Sequence, residues 1–365
     1  MYTNQYWLGS EASFREAEAN LAKVQAHQAA HPGEDDKEEE TPYLNVVDGV
    51  GIVTVQGSLY DGTFGRVGQW FGVTGYGDIQ NALVKAVSSP DVQSILMVYK
   101  SGGGAVSGVN ETSALIMNVD KIKPVFAYTP STMASAALWL GLAARKVYAS
   151  NTAIVGSIGV LSMVMSYHRQ LKEEGIDAVV IRSGKYKALG HDADPMSDLA
   201  VESAQAQIDY MGTLFLEYAA ERRGMAASAA DTRFGQGRTF VGEQAKAVGL
   251  IDDEVGYSQA FPNAKASVPP DNKPKLFAAA GPRADAGADM AHNLPEPKGQ
   301  SSMPKPNHIP SADELLAMAN GVDLTEGEDK PAATAPATGE PAADAPEADT
   351  EVDATLAQTQ KDLAE

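Results

Sequence analysis

The sequence predicts an α/β fold with a mostly parallel sheet, and three observations carry that prediction. Short apolar strands alternate with amphipathic helices from about residue 45 to 258. No internal repeat at solenoid periods interrupts the alternation. The composition shifts abruptly near residue 261, so the folded part ends well before the chain does.

In chain order, residues 10–31 have helical composition and lead into PGEDDKEEETP, whose charges and turn residues read as a solvated linker. Residues 1–42 are therefore expected to form a helical arm and charged linker outside the core. YLNVVDGVGIVTVQGSL carries two β-rich stretches, and GDIQNALVKAVSSPDV spaces Ile79, Leu83, Val84 and Val87 as one face of a helix. SILMVYK (94–100) is a short apolar strand that ends in SGGG, where a tight turn is expected. A helix through ETSALIMNVDKI, a strand at PVFAY, a helix over about Ser135–Ala144, and strands at KVYAS and near AIVGSIGVL follow. Beyond these come a helix near Tyr167–Glu174, a strand at AVVIRSG, a long helix over about Asp198–Arg223 and the closing segment EQAKAVGLIDDEV. The globular domain is placed at residues 43–260.

Residues 261–365 read as an acidic, Ala/Pro-rich tail. Within 281–365 there is no Phe, Trp or Tyr, and 17 acidic side chains face 5 basic ones, which is −12 of the chain's −20. A segment so poor in bulky apolar groups cannot offset the entropy of ordering, so disorder is expected. The remaining −8 gives no bias toward nucleic acid. With no cysteine, disulfides, a thiol nucleophile and a Cys-type zinc site are excluded. The six histidines have no metal-ligand spacing, so neither a metal nor a cofactor is expected. The first 31 residues have no basic n-region or apolar h-region, and no run has the roughly 18–20 apolar residues of a bilayer span. No signal peptide, anchor or membrane contact is expected.

Three short motifs draw attention, and each has a bland reading when taken alone. SGGG (101–104) precedes a helix, where N–H groups collect near an anion site, but a tight turn explains it equally. Ser135 stands at the head of an Ala-rich helix, where a serine is also a favoured N-cap. Lys185 and Lys187 in RSGKYKALG are each readable as a surface charge.

Together, however, SGGG, MAS at 133–135, GSIG at 156–159 and SGKYK resemble the signal peptide peptidase A family of serine peptidases, the S49 group. KPVFAY before the serine and the closing AKAVGLIDD belong to the same resemblance, which runs over about residues 45–258. It implies a fold of the Clp-protease/crotonase type and a Ser-Lys dyad, with Ser135 as nucleophile and Lys187, 52 residues on, as general base. Ser157 matches the family's second serine, which hydrogen-bonds the lysine and passes protons. Gly103 or Gly104, with the N–H of Ala136, matches the oxyanion hole. Two departures stand out: Gly102 replaces the usual proline, and Ala136 and Ala137 replace glycines after the nucleophile, which narrows the pocket toward small side chains.

The chemistry suits these residue types. A serine hydroxyl needs a base to take its proton, and a lysine serves only when neutral. A lysine's reference pKa of about 10.4 must fall by about 3 units for activity near neutrality, which is about 4 kcal/mol of destabilised ammonium. Desolvation by apolar surroundings and by a subunit packed over the cleft is the main route. Two backbone donors then meet the oxyanion, each contributing on the order of 3 kcal/mol. A histidine-based triad is disfavoured because the two dozen residues after Ser135 hold no histidine; His168 and His191 read as structural.

One peptidase domain joined to an acidic tail resembles the head-maturation proteases of tailed phages, in which an S49-type domain is fused to a capsid scaffold. The implied function is a serine endopeptidase that cleaves scaffold protein and itself inside the assembling procapsid, in the host cytoplasm. Implied partners are scaffold and capsid proteins and further copies of the chain, since family members form rings or domes that complete the cleft across subunits. A tail that offers extended backbone suits recognition by strand addition. The alternatives are a cytoplasmic bacterial S49 peptidase that degrades peptides, a catalytically silent assembly scaffold and, lower, a crotonase-like acyl-CoA enzyme.

Overall fold

A computed structural model describes residues 7–8, 11–31 and 42–267. The expected linker at 32–41 and the acidic tail from residue 268 lie outside the described residues. The first half contains β1 (Trp7–Leu8), α1 (Glu11–Ala30), β2 (Leu44–Val47), β3 (Val50–Tyr60), α2 (Gly65–Trp70), β4 (Val73–Gly75), α3 (Tyr76–Ser88), β5 (Ser94–Ala105) and α4 (Val109–Ile122). Then come β6 (Val125–Thr129), β7 (Thr132–Ala134), α5 (Ala136–Leu142), β8 (Lys146–Ala149) and β9 (Ile154–Gly156). The remainder is α6 (His168–Glu173), α7 (Asp198–Arg222), α8 (Ala227–Phe234), β10 (Thr239–Val241), α9 (Glu243–Ala247), β11 (Asp253–Glu254) and α10 (Tyr257–Ala266).

The α/β class is as the sequence predicts. β5 is the central strand: β3 pairs parallel to it along one edge, while β6 and then β7 pair parallel to the other. β8 and β11 extend the sheet beyond β6, and β9 and β10 extend it beyond β7, so the sheet curls about β5. Only β1–β5, β2–β3 and β9–β10 are antiparallel among the described pairs. The β2–β3 hairpin turns on Asp48 (φ 50°) and Gly49 (φ 80°), the Asp-Gly pair that a two-residue turn with both φ positive favours.

The glycines of SGGG do not make the turn that the sequence suggests; they continue β5 through Ala105. Gly103 and Gly104 pair with Ser58 and Leu59 after a register shift at Gln56/Ser58. A Cβ on Gly104 would stand 2.0 Å from the Leu59 carbonyl oxygen, so only glycine lets β3 close on β5 there. Glycine therefore serves close strand approach here, not chain reversal.

The main core lies under α3, α4 and α5, joined by Phe215, Ala219 and Ala220 of α7 and Ala230 and Phe234 of α8. On the other face Leu96, Phe126, Tyr128 and Tyr148 pack beneath Ala260 and Ala264 of α10. Two sequence expectations need correction. The AVVIRSG strand is absent: residues 174–197 hold no strand or helix, and Val179 and Ile181 are 80% and 94% exposed. No sheet edge among the described residues receives it. The helix of the arm, in turn, is not outside the core: Ala17 and Val24 of α1 are buried against Tyr60, Val67, Val73 and Ala105.

Asp252 closes the C-terminal end of the sheet. It accepts the Val147 N–H (2.8 Å) and pairs with Lys146 (3.0 Å) and Arg223 (3.2 Å). Burial alone would raise its pKa; the Val147 N–H and the Arg223 charge outweigh it and hold the carboxyl below the usual range. A depressed folded pKa gives stability that is present above the unfolded value and lost as pH falls through the folded one. Asp252→Asn should thus cost about 2 kcal/mol near neutrality. It should also flatten the loss of stability below pH about 4, where the unfolded carboxyl begins to bind its proton. Urea melts of both proteins from pH 7 to 3 measure this; parallel curves would contradict it.

Candidate active site

Ser135 stands between β7 and α5 with φ 55° and ψ −124°. A non-glycine residue at positive φ is strained by about 1–3 kcal/mol and persists where its surroundings over-determine it. Here its N–H donates to the Gly156 carbonyl (2.8 Å), and its own carbonyl accepts the Trp139 N–H of α5 (2.9 Å). The side chain is fully buried and its Oγ has no hydrogen-bond partner. The N-cap reading of this serine therefore fails, since no side-chain cap bond forms. The hydroxyl is instead held on a sharp strand-to-helix elbow and left unused, a costly arrangement for a buried polar group without a further role.

The parallel register pairs Ala134 with Gly156, and the Ser135 N–H bonds the Gly156 carbonyl, which brings Ser135 next to the Gly156–Ser157 peptide at the ends of neighbouring strands. Ser157 also has positive φ, 56°, and its N–H donates to the Arg238 carbonyl (2.6 Å). Two of the sequence-predicted residues are thereby brought together by the sheet.

The glycine strand lies next to them, since Met133 pairs with Ser101. Ser101 Oγ donates to the Gly57 carbonyl (2.6 Å) and accepts the Gly103 N–H (3.1 Å). Gly103 (φ 111°) thus spends its donor inside the strand, while the N–H of Ala136, in the first turn of α5, has no acceptor within its helix. Ser101 is a site residue that the sequence reading quoted without assigning a role; its burial at 1% exposure marks it as an anchor. Gly102 is exposed, and a side chain there would meet nothing within 4 Å, so the departure from proline creates no gap. Ala136 and Ala137 are fully buried.

Lys187 forms no hydrogen bond with Ser135 Oγ. It is exposed on the 174–197 segment, and the unpartnered Ser135 Oγ receives no bond from it or from any histidine. Lys185 lies over the Tyr186 ring at 5.4 Å. His168 Nδ1 meets the Ala193 carbonyl (3.1 Å) and His191 pairs with Asp192 (3.0 Å), so both are taken up in local structure, as expected. Among the described residues no group of His, Asp or Glu is arranged to hold a metal ion, and no helix is long and apolar enough to cross a membrane.

Residues 117–269 match Peptidase family S49. The chain is 29% identical to Capsid assembly protease C of Escherichia phage lambda over 63% of its own length and 52% of that protein. It is also 29% identical to Head-tail preconnector protein GP5 of Enterobacteria phage P21, over 59% and 42% respectively. Protease 4 of Haemophilus influenzae is 25% identical over 61% of this chain and 35% of its own. The chain thus spans about half or less of the length of these relatives. Among solved structures, a point mutant of ClpP1 from Listeria monocytogenes aligns at a TM-score of 0.36 and 14% identity, covering 57% of this chain and 93% of that one. The matched segment encloses the Ser135 elbow, the Ser157 turn and the 182–190 loop, so the similarity to Peptidase family S49 takes in the whole candidate site.

Proposed function

We propose that the protein is a serine endopeptidase of capsid assembly, with Ser135 as nucleophile, Ser157 as proton relay and Lys187 of a neighbouring copy as general base. The observation that carries this reading is the buried, unpartnered Ser135 Oγ on a strained elbow beside Ser157. Lys187 is supplied in trans because it makes no bond to Ser135 Oγ within the chain and its segment turns Ile176, Val179, Ile181 and Tyr186 to solvent. Such a run of exposed apolar side chains marks a protein–protein contact, and a second copy closing over it would desolvate the lysine. Ala136 N–H and the glycines at 103–104 then surround the oxyanion, once Gly103 turns from Ser101. The substrate is scaffold protein and the chain's own acidic 281–365 segment; the likeness to Capsid assembly protease C of phage lambda supports a substrate in capsid assembly.

The likeness to Protease 4 favours a second reading, general peptide degradation in a cell. Intact-mass analysis over time separates the two, using the unsubstituted chain beside Ser135→Ala and Lys187→Ala at pH 7 and 9. Mass loss in the unsubstituted chain alone, with cuts falling after about residue 260, is expected for self-processing by the dyad. Equal decay of all three would sink the assignment of the dyad. Rapid hydrolysis of added unrelated peptides with the tail left intact would favour the cellular reading.

A further inference from the structure

The edge of β5 that faces the site takes three partners in turn. Ile95–Val98 pair with β6, Ser101 with Met133 of β7, and Gly104 and Ala105 with Leu8 and Trp7 of β1. All three share one edge, because β3 holds the opposite edge from Ser94 to Gly104. β7 runs directly into Ser135, so the length of edge that β1 takes is the length that opens beside the elbow. A row of unpaired backbone donors and acceptors next to a nucleophile is what a peptide recognised by strand addition requires. Residues of the chain's own N-terminal segment, running antiparallel to β5, hold that row.

We propose that the β5 edge at Gly104–Ala105 is the peptide-binding strand of the site and that residues 7–8 are its built-in occupant, a pseudosubstrate strand that keeps the peptidase closed until displaced. The inference rests on Ser135 being the nucleophile, as proposed above. Two further observations support it. Ser135 is wholly shielded from solvent, as a site with its substrate strand already filled would be. And α1, which begins three residues after Leu8, is anchored through Ala17 and Val24 in a cluster that contains Ala105, the residue paired with Trp7, and against which Leu161 and Met163 pack. The arm is therefore fixed next to the end of β5, and its short tether presents β1 at an effective concentration on the order of millimolar. A two-residue pairing is weak in itself, so a longer extended peptide can displace it.

The test uses three forms of the full protein: unchanged, lacking residues 1–10, and carrying Trp7→Pro with Leu8→Pro, which leaves α1 intact but removes the strand's N–H donors. In a Ser135→Ala background, a fluorescein-labelled synthetic peptide of residues 1–10 should bind the two altered forms at least about tenfold more tightly than the unaltered one. With Ser135 present, hydrolysis of fluorescent casein should rise at least about tenfold in the same two forms. Equal peptide affinity in all three forms overturns the proposal, whether or not casein is cut. If affinity differs as expected but no form cuts casein, strand occupancy stands and the reading of Ser135 as nucleophile is what fails. Agreement between the deletion and the proline pair excludes unfolding as the cause.

Discussion

Subunits bearing Ser135→Ala and subunits bearing Lys187→Ala should each hydrolyse peptide at least about 10³-fold more slowly than the unsubstituted chain. Mixed one to one under assembling conditions, they should regain about a quarter of its activity, if each site joins a serine and a lysine from neighbouring copies. A mixed assembly has an intact site wherever a Lys187→Ala subunit, which keeps Ser135, meets the lysine of a Ser135→Ala neighbour. The structural grounds are the burial of Ser135 in its own chain and the exposure of Lys187 on a segment whose Val179 and Ile181 face solvent. A dyad closed within one chain gives no complementation, so a mixture no more active than its two parents would return Lys187 to its own subunit. Steady-state hydrolysis of one peptide by the two parents, the mixture and the unsubstituted chain decides the matter.

How far the sequence could be read depended on whether local pattern or long-range pairing decided each feature. The strands SILMVYK, PVFAY and KVYAS and the helices now seen as α3, α4 and α7 are set by the composition and apolar pattern of each segment itself, and each was legible. Ser135 and Ser157 were legible as motifs, but their adjacency comes from the β7–β9 register, which no spacing encodes. SGGG misled because glycine marks both turns and close strand approach; only the Leu59 carbonyl 2.0 Å from a would-be Cβ tells which. AVVIRSG has strand composition yet no strand partner among the described residues, so a correct propensity produced an incorrect element. The arm looked solvated because α1 buries little more than Ala17 and Val24. β1, two residues long, has no periodicity to read at all.

The largest stability effect should come from Phe215→Ala in α7. Phe215 is fully buried and stacks on Trp139 of α5 at 4.7 Å and 25°, while Tyr218 stacks on the same indole at 4.9 Å and 16°. Trp139 is one turn beyond the nucleophile, with its N–H on the Ser135 carbonyl, so this stack is the support beneath the elbow. Truncating a buried phenylalanine costs about 3–5 kcal/mol, transfer and cavity together. At roughly 2–4 °C per kcal/mol for a domain of this size, the melting temperature should fall by on the order of 10 °C. Tyr210→Ala, on the same helix but at a ring 67% exposed, should move stability by no more than about 0.5 kcal/mol. Parallel thermal melts of the two variants test the contrast, and a Phe215→Ala loss below about 1 kcal/mol would mean that α7 does not hold the nucleophile helix in place. Because the positive φ of Ser135 is maintained only by what surrounds it, the same variant should lose hydrolytic activity at temperatures where it is still folded. A defect confined to stability, with kcat unchanged below the melt, would place the strain's support in the Gly156 hydrogen bond and the β7–β9 pairing instead.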